Sequence, residues 1–131
     1  IRVGDSPKNI RKGLPDTKNI EVADNIVYSY GRYDKAGVGI IYFDVGNIKV
    51  DHNTVFDGYY SGISGGWTWG YAPTKTIGNS ITNNRIFNIG YGLLCDMGGI
   101  KRRAPPQIRR LGNLQRRGQR GLHRGKQLRA P

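Results

Sequence analysis

The sequence predicts an all-β chain: a parallel β-helix of about three coils over residues 1–100, followed by a disordered basic tail over 101–131. Three observations lead there. A strand-and-Asn pattern recurs at a nearly fixed period, each copy is followed by a second short strand near a glycine, and the composition changes abruptly at Lys101.

The recurring pattern is β-branched, two polar residues, Asn, any residue, β-branched, aromatic. It appears as Asn19–Tyr28 around Asn25, as Asn47–Phe56 around Asn53, and as Asn79–Phe87 around Asn84. The three asparagines are 28 and 31 residues apart, within the range of roughly 20 to 50 that marks solenoids. Ile48, Val50 and Val55 alternate with polar residues at strand spacing, with no helical period. Stacked in register, Asn25, Asn53 and Asn84 would form an amide ladder at one corner. Gly and Asn stand where the chain must turn sharply.

The second strands are expected in Val38-Gly-Ile-Ile-Tyr42, Ser61-Gly-Ile-Ser-Gly65 and Tyr91-Gly-Leu-Leu-Cys95. One such coil cannot bury its inner face alone; stacked neighbours make the core. An antiparallel sandwich with Asn-rich turns is the alternative. Neither end resembles an apolar-faced cap and the chain starts at Ile1, so it reads as a slice of a longer protein.

The net charge of +12 belongs almost entirely to the tail. Residues 101–131 hold nine Arg, two Lys, no acid and no aromatic, whereas residues 1–100 balance ten Lys+Arg against nine Asp+Glu. Arg pairs at 102–103, 109–110 and 116–117 would neutralise phosphates without specificity, but no aromatic offers base stacking. Nucleic-acid binding through the tail is the weakest functional reading, and the tail also reads as an out-of-frame extension. No 18-residue apolar run suggests a membrane span. Cys95 is the only cysteine, and with His52 and His123 as the only histidines a Cys/His zinc site is not supported. No cofactor is implied.

Two motifs carry a resemblance: Tyr60-Ser-Gly-Ile-Ser-Gly-Gly-Trp67-Thr-Trp69-Gly-Tyr71 and Gly92-Leu-Leu-Cys-Asp96-Met-Gly-Gly-Ile100. Over about residues 15–100 the chain resembles the right-handed parallel β-helix proteins that act on polysaccharides, of the glycoside hydrolase and pectate-lyase-like type. The resemblance implies a fragment of an enzyme hydrolysing glycosidic bonds in a plant or algal polysaccharide, from an extracellular or periplasmic parent. A non-catalytic carbohydrate-binding or structural β-helix module is the alternative, since this fold hosts many functions.

Asp96 is the candidate catalytic residue. It follows Leu93 and Leu94, read as an apolar strand, and precedes a Gly-Gly turn; burial there would raise its pKa and prepare a general acid. The resemblance also places a catalytic carboxylate near it. An Asp that caps the following turn explains the position equally. Glycoside hydrolysis needs a second carboxylate roughly 5 to 10 Å away, and the resemblance places it on a later coil, so this chain is expected to be inactive. Asp44 and Asp57 are the partners within the chain, Asp44 the better, though more often a turn residue. Trp67 and Trp69, two apart, would share a strand face and with Tyr60 and Tyr71 form a stacking surface for sugar rings; packing over a coil corner is the alternative. His52 would orient a substrate hydroxyl or stand as a solvated turn histidine. Cys95 reads as a small core residue.

Overall fold

The computed structural model describes residues 1–4, 16–67 and 74–102. The described residues contain ten short strands: β1 (Arg2–Val3), β2 (Glu21–Ala23), β3 (Ile26–Tyr28), β4 (Ile40–Tyr42), β5 (Lys49–Asp51), β6 (Thr54–Gly58), β7 (Ile63–Gly65), β8 (Ser80–Thr82), β9 (Arg85–Ile89) and β10 (Ile100–Arg102). Every third strand pairs in parallel, giving three sheets ordered β1-β4-β7-β10, β2-β5-β8 and β3-β6-β9. The protein is therefore all-β, with parallel strands in three stacked sheets, an arrangement compatible with a parallel β-helix.

Side-chain alternation decides what is inside. In β2, β5 and β8 the central residues Val22, Val50 and Ile81 are register partners; in β3, β6 and β9 the second residues Val27, Val55 and Ile86 are. In the first sheet the ends of each strand point inward instead: Ile40, Tyr42 and Ile63 are fully buried. These residues, with Val45 and Ile48, form one core. The buried Tyr42 ring fits because Gly65 faces it across the pair, where any Cβ would overlap the ring.

The Asn ladder is present. Asn25 Nδ2 donates to Asn53 Oδ1 at 2.9 Å, and Asn53 Nδ2 donates to Asn84 Oδ1 at 2.9 Å. The same oxygens accept the backbone N–H of Asn25 and Asn53. Beside it runs an outward stack of Tyr28, Phe56 and Phe87, centroids 5.5 and 5.0 Å apart and ring planes nearly parallel. The turns repeat at the same spacing: Asp24, His52 and Asn83 all have positive φ, as do Ser29, Asp57 and Asn88. The same left-handed turn positions thus recur at the spacing of the stacked strands.

Two expected second strands form, as β4 and β7, but Tyr91–Cys95 is not a strand. The strand that pairs with β7 is β10, with Ile100 opposite Ile63 and Lys101 opposite Ser64. The segment 90–99 is instead a loop whose Leu93, Leu94 and Cys95 are exposed; the reading of Cys95 as a core residue is corrected accordingly. An apolar triplet beside a glycine satisfied the strand pattern, but the register follows the Gly-Ile pairs 39–40, 62–63 and 99–100. β10 also runs across the compositional break at Lys101. The remainder of the tail, 103–131, lies outside the described residues.

Candidate carbohydrate-facing surface

The residues singled out from the sequence fall on four different connections. His52 sits between β5 and β6, Tyr60 between β6 and β7, Asp96 between β9 and β10, and Trp67 just after β7. Because β6–β7 and β9–β10 are the same connection in successive coils, Tyr60 and Asp96 meet: Tyr60 Oη donates to the Asp96 carbonyl at 3.0 Å. Trp69 and Tyr71 lie outside the described residues. Trp67 is two residues beyond the end of β7, so the strand alternation expected to align it with Trp69 does not extend to it.

Trp67 and Asp96 are nevertheless joined through one sheet. In β4, β7 and β10 the central residues Ile41, Ser64 and Lys101 are register partners on the side away from Ile40, Tyr42 and Ile63, with Ser64 itself covered and only 2% exposed. Trp67 Nε1 donates to Ser64 Oγ at 3.0 Å. Ser64 is the register partner of Lys101. Lys101 Nζ pairs with Asp96 Oδ2 at 2.5 Å and donates to the Asp96 carbonyl at 2.8 Å. On the first-coil side, Phe43 lies 6.4 Å from the Trp67 ring, and the Arg2 guanidinium stands 4.8 Å over Phe43. The outer face of the β1-β4-β7-β10 sheet thus carries an indole, a phenyl ring, two cations and a carboxylate in one connected patch.

Asp96 is not buried as the sequence suggested. Its side chain is 77% exposed, and its backbone has φ of 59° at the turn before Gly98 and Gly99. The expected desolvation of this carboxyl is absent because Leu93 and Leu94 point to solvent rather than covering it. His52 is also exposed, at φ 51°, with Nδ1 3.0 Å from Asp51 Oδ2, the geometry of a turn histidine.

The two other carboxylates differ sharply. Asp44, the favoured partner in the sequence, is buried and accepts Thr74 Oγ1, Thr76 Oγ1 and the Lys75 N–H; it organises a turn. Asp57, near the end of β6, bonds to Tyr91 of the Asp96 loop. It accepts Ser29 Oγ at 2.7 Å, Tyr91 Oη at 2.8 Å and Arg32 Nη2 at 2.6 Å. The Ser29 and Tyr91 hydrogen bonds, then Arg32, hold its carboxyl below the usual range. Tyr30 beside it is pushed up to about 12, by burial first, then by charge repulsion from Tyr91 once that phenol ionises, and then by Asp57.

Sequence reading missed Ser64, Lys101 and Phe43 as members of the surface. Lys101 was assigned to the tail, yet aligning Gly99-Ile100 with Gly62-Ile63 would have set it opposite Ser64. Among the described residues no cluster of His, Cys, Asp and Glu is arranged to hold a metal, and no helix is long and apolar enough to cross a membrane.

Fold and surface together define a chain of parallel strands in three stacked sheets with an aromatic and charged outer face. No protein family model, no curated protein and no solved structure matches it.

Proposed function

We propose that the chain is a segment of a right-handed parallel β-helix protein active on a plant or algal polysaccharide, and that it binds the glycan along the outer face of the β1-β4-β7-β10 sheet. The observation that supports this most is the contact series from Trp67 through Ser64 and Lys101 to Asp96 and Tyr60. A polymer ligand suits a solenoid, whose stacked coils offer an extended, repeating surface. Aromatic rings supply flat apolar area for sugar rings, and the charged and hydroxyl groups supply hydrogen bonds to sugar hydroxyls.

Hydrolysis is proposed for the parent protein rather than for this chain. Asp96 is the acid/base or nucleophile candidate, and the pair that glycoside hydrolysis requires is not completed by Asp44, buried and holding its turn through Oδ1, or by Asp57, both of whose oxygens are engaged. Incubating the purified chain with xylan- and pectin-derived oligosaccharides, and assaying new reducing ends, tests this division. Binding without turnover is expected. Turnover abolished by Asp96→Asn would instead assign catalysis to the chain itself. Non-specific polyanion binding by the basic tail is separable by repeating the measurement on chains ending at Arg102 in high salt.

A further inference from the structure

The loop 90–99 carries Asp96, yet most of its own side chains reach solvent: Tyr91, Leu93, Leu94 and Cys95 are all exposed. A loop with so little buried apolar surface has little packing of its own to fix its shape. Backbone bonds hold its two ends, from the Gly90 N–H to the Gly58 carbonyl at 2.8 Å and from the Gly62 and Ile63 N–H groups to the Gly98 and Gly99 carbonyls at 3.3 and 2.9 Å, and side chains tie it at three further points. At its start Tyr91 Oη donates to Asp57 Oδ1 at 2.8 Å. At its middle Tyr60 Oη and Lys101 Nζ both donate to the Asp96 carbonyl. At its end the Gly98 N–H donates to Ser61 Oγ at 3.3 Å.

The first of these side-chain ties differs from the other two in being anchored to a different sheet. Asp57 belongs to β6 and is itself held by Ser29, on the turn after β3, and by Arg32. Its position is therefore fixed by the coil before the loop, independently of Asp96. Tyr91 is flanked by Gly90 and Gly92, both at positive φ (96° and 72°), so the backbone on either side of it is suited to pivoting. Its ring also packs edge-on against Tyr59, centroids 5.2 Å apart, while Lys35 and Arg32 stand over the Tyr59 ring. Met97 folds back onto Gly90, so that a Cβ at Gly90 would overlap its methyl group; the two ends of the loop are thereby closed on each other.

We infer that the Tyr91–Asp57 hydrogen bond is a latch that positions the Asp96 loop over the outer sheet face, making Tyr91 and Asp57 positioning residues for the glycan surface. The inference rests on the proposed carbohydrate reading for its purpose but not for its geometry. Closed, the latch holds the Asp96 backbone where Tyr60 and Lys101 reach its carbonyl. Open, the loop pivots at Gly90 and Gly92 and the carboxylate leaves Lys101. The phenol donates to a charged acceptor, the stronger class of hydrogen bond, so removing it alone is expected to raise the open population roughly tenfold.

Hydrogen exchange on the full chain, read by mass spectrometry over 90–99, where the Gly90 and Gly98 N–H groups are hydrogen-bonded, tests the latch. Tyr91→Phe keeps the ring contact with Tyr59 and deletes only the donor. It is expected to speed exchange of the protected amides in 90–99 about tenfold while β5 and β8 keep their wild-type protection; Asp57→Asn should do the same, and the double variant no more. Unchanged exchange over 90–99 in Tyr91→Phe, or a uniform rise across all sheets, would overturn the latch. The glycan reading is decided separately, by titrating the same proteins with xylohexaose and with a pectin-derived oligosaccharide. Exchange that responds in a protein that binds neither sugar upholds the latch and removes the carbohydrate purpose.

Discussion

Asn53 donates to Asn84 Oδ1 at 2.9 Å and accepts from Asn25 on its other side, so one buried side chain bonds to both neighbouring coils. The same Nδ2 also reaches the carbonyls of Val22 and Asp51. Asn53 is 1% exposed, between Val55 and Val50, which are fully buried. Its removal therefore strands several polar groups where water does not reach.

Asn53→Ala is expected to destabilise the chain by about 3 kcal/mol, since each buried group left unpaired costs about 1 to 3 kcal/mol. Asn84→Ala, at a less buried rung of the ladder, should cost less. Urea unfolding followed by circular dichroism would check both. A loss within about 0.5 kcal/mol of that for an ordinary surface substitution would mean the ladder does not hold the coils together.

Gly65 and Tyr42 make a second packing claim. A methyl group at Gly65 would overlap the Tyr42 ring, which is fully buried and has no room to withdraw. Gly65→Ala should cost about 3 kcal/mol through overpacking. The paired variant Gly65→Ala with Tyr42→Leu should recover part of that loss, because the clash is with the ring itself. Additive losses in the pair would contradict this packing.

His52 shows how turn geometry governs tolerance. At φ 51° it occupies the left-handed region that β-branched residues avoid. His52→Gly should be near neutral, whereas His52→Val should cost about 1 to 3 kcal/mol of backbone strain. Melting temperatures of the two variants, compared with wild type, distinguish this from a role for the imidazole, which both substitutions remove equally.

Asp51 sets an acid limit to stability. Its carboxylate accepts Thr82 Oγ1 at 2.7 Å and Asn83 Nδ2 at 3.0 Å, and pairs with Lys49 and His52. The Thr82 hydrogen bond first, with those of Lys49, Asn83 and His52, drives its pKa far below the usual carboxylate range. A depressed folded pKa means the stabilisation is fully present above the unfolded value of about 3.9 and is lost as pH falls toward the folded one. Urea midpoints should therefore drop below about pH 4, and Asp51→Asn should flatten that acid limb while lowering stability at pH 7. An identical acid limb in the variant would assign the effect to other carboxylates.

How far the sequence could be read follows from the range of the interactions involved. The Asn ladder and the strands β2, β3, β5, β6, β8 and β9 were legible because the repeat places Asn25, Asn53 and Asn84, and Val22, Val50 and Ile81, at matching offsets. β4 and β7 were legible from the Gly-Ile pairs. β10 was misplaced because the 90–99 loop inserts an apolar Leu-Leu-Cys run ahead of the third Gly-Ile pair. That run has strand composition, yet Leu93 and Leu94 are exposed and pair with no strand among the described residues. The exposure of Asp96 depends on that absence of pairing, and the link from Trp67 to Asp96 depends on Ser64 meeting Lys101 across 37 residues. Neither is encoded at short range.

The central claim is that the outer face bearing Trp67 and Asp96 binds a polysaccharide. Calorimetric titration of the purified chain with xylan- and pectin-derived oligosaccharides tests it most directly, alongside Trp67→Ala and His52→Ala. The account predicts saturable binding to one of these glycans that Trp67→Ala weakens at least about tenfold, the cost of losing about 1.4 kcal/mol of aromatic contact, and that His52→Ala leaves unchanged. Binding equally strong in Trp67→Ala, or lost in His52→Ala instead, would contradict it.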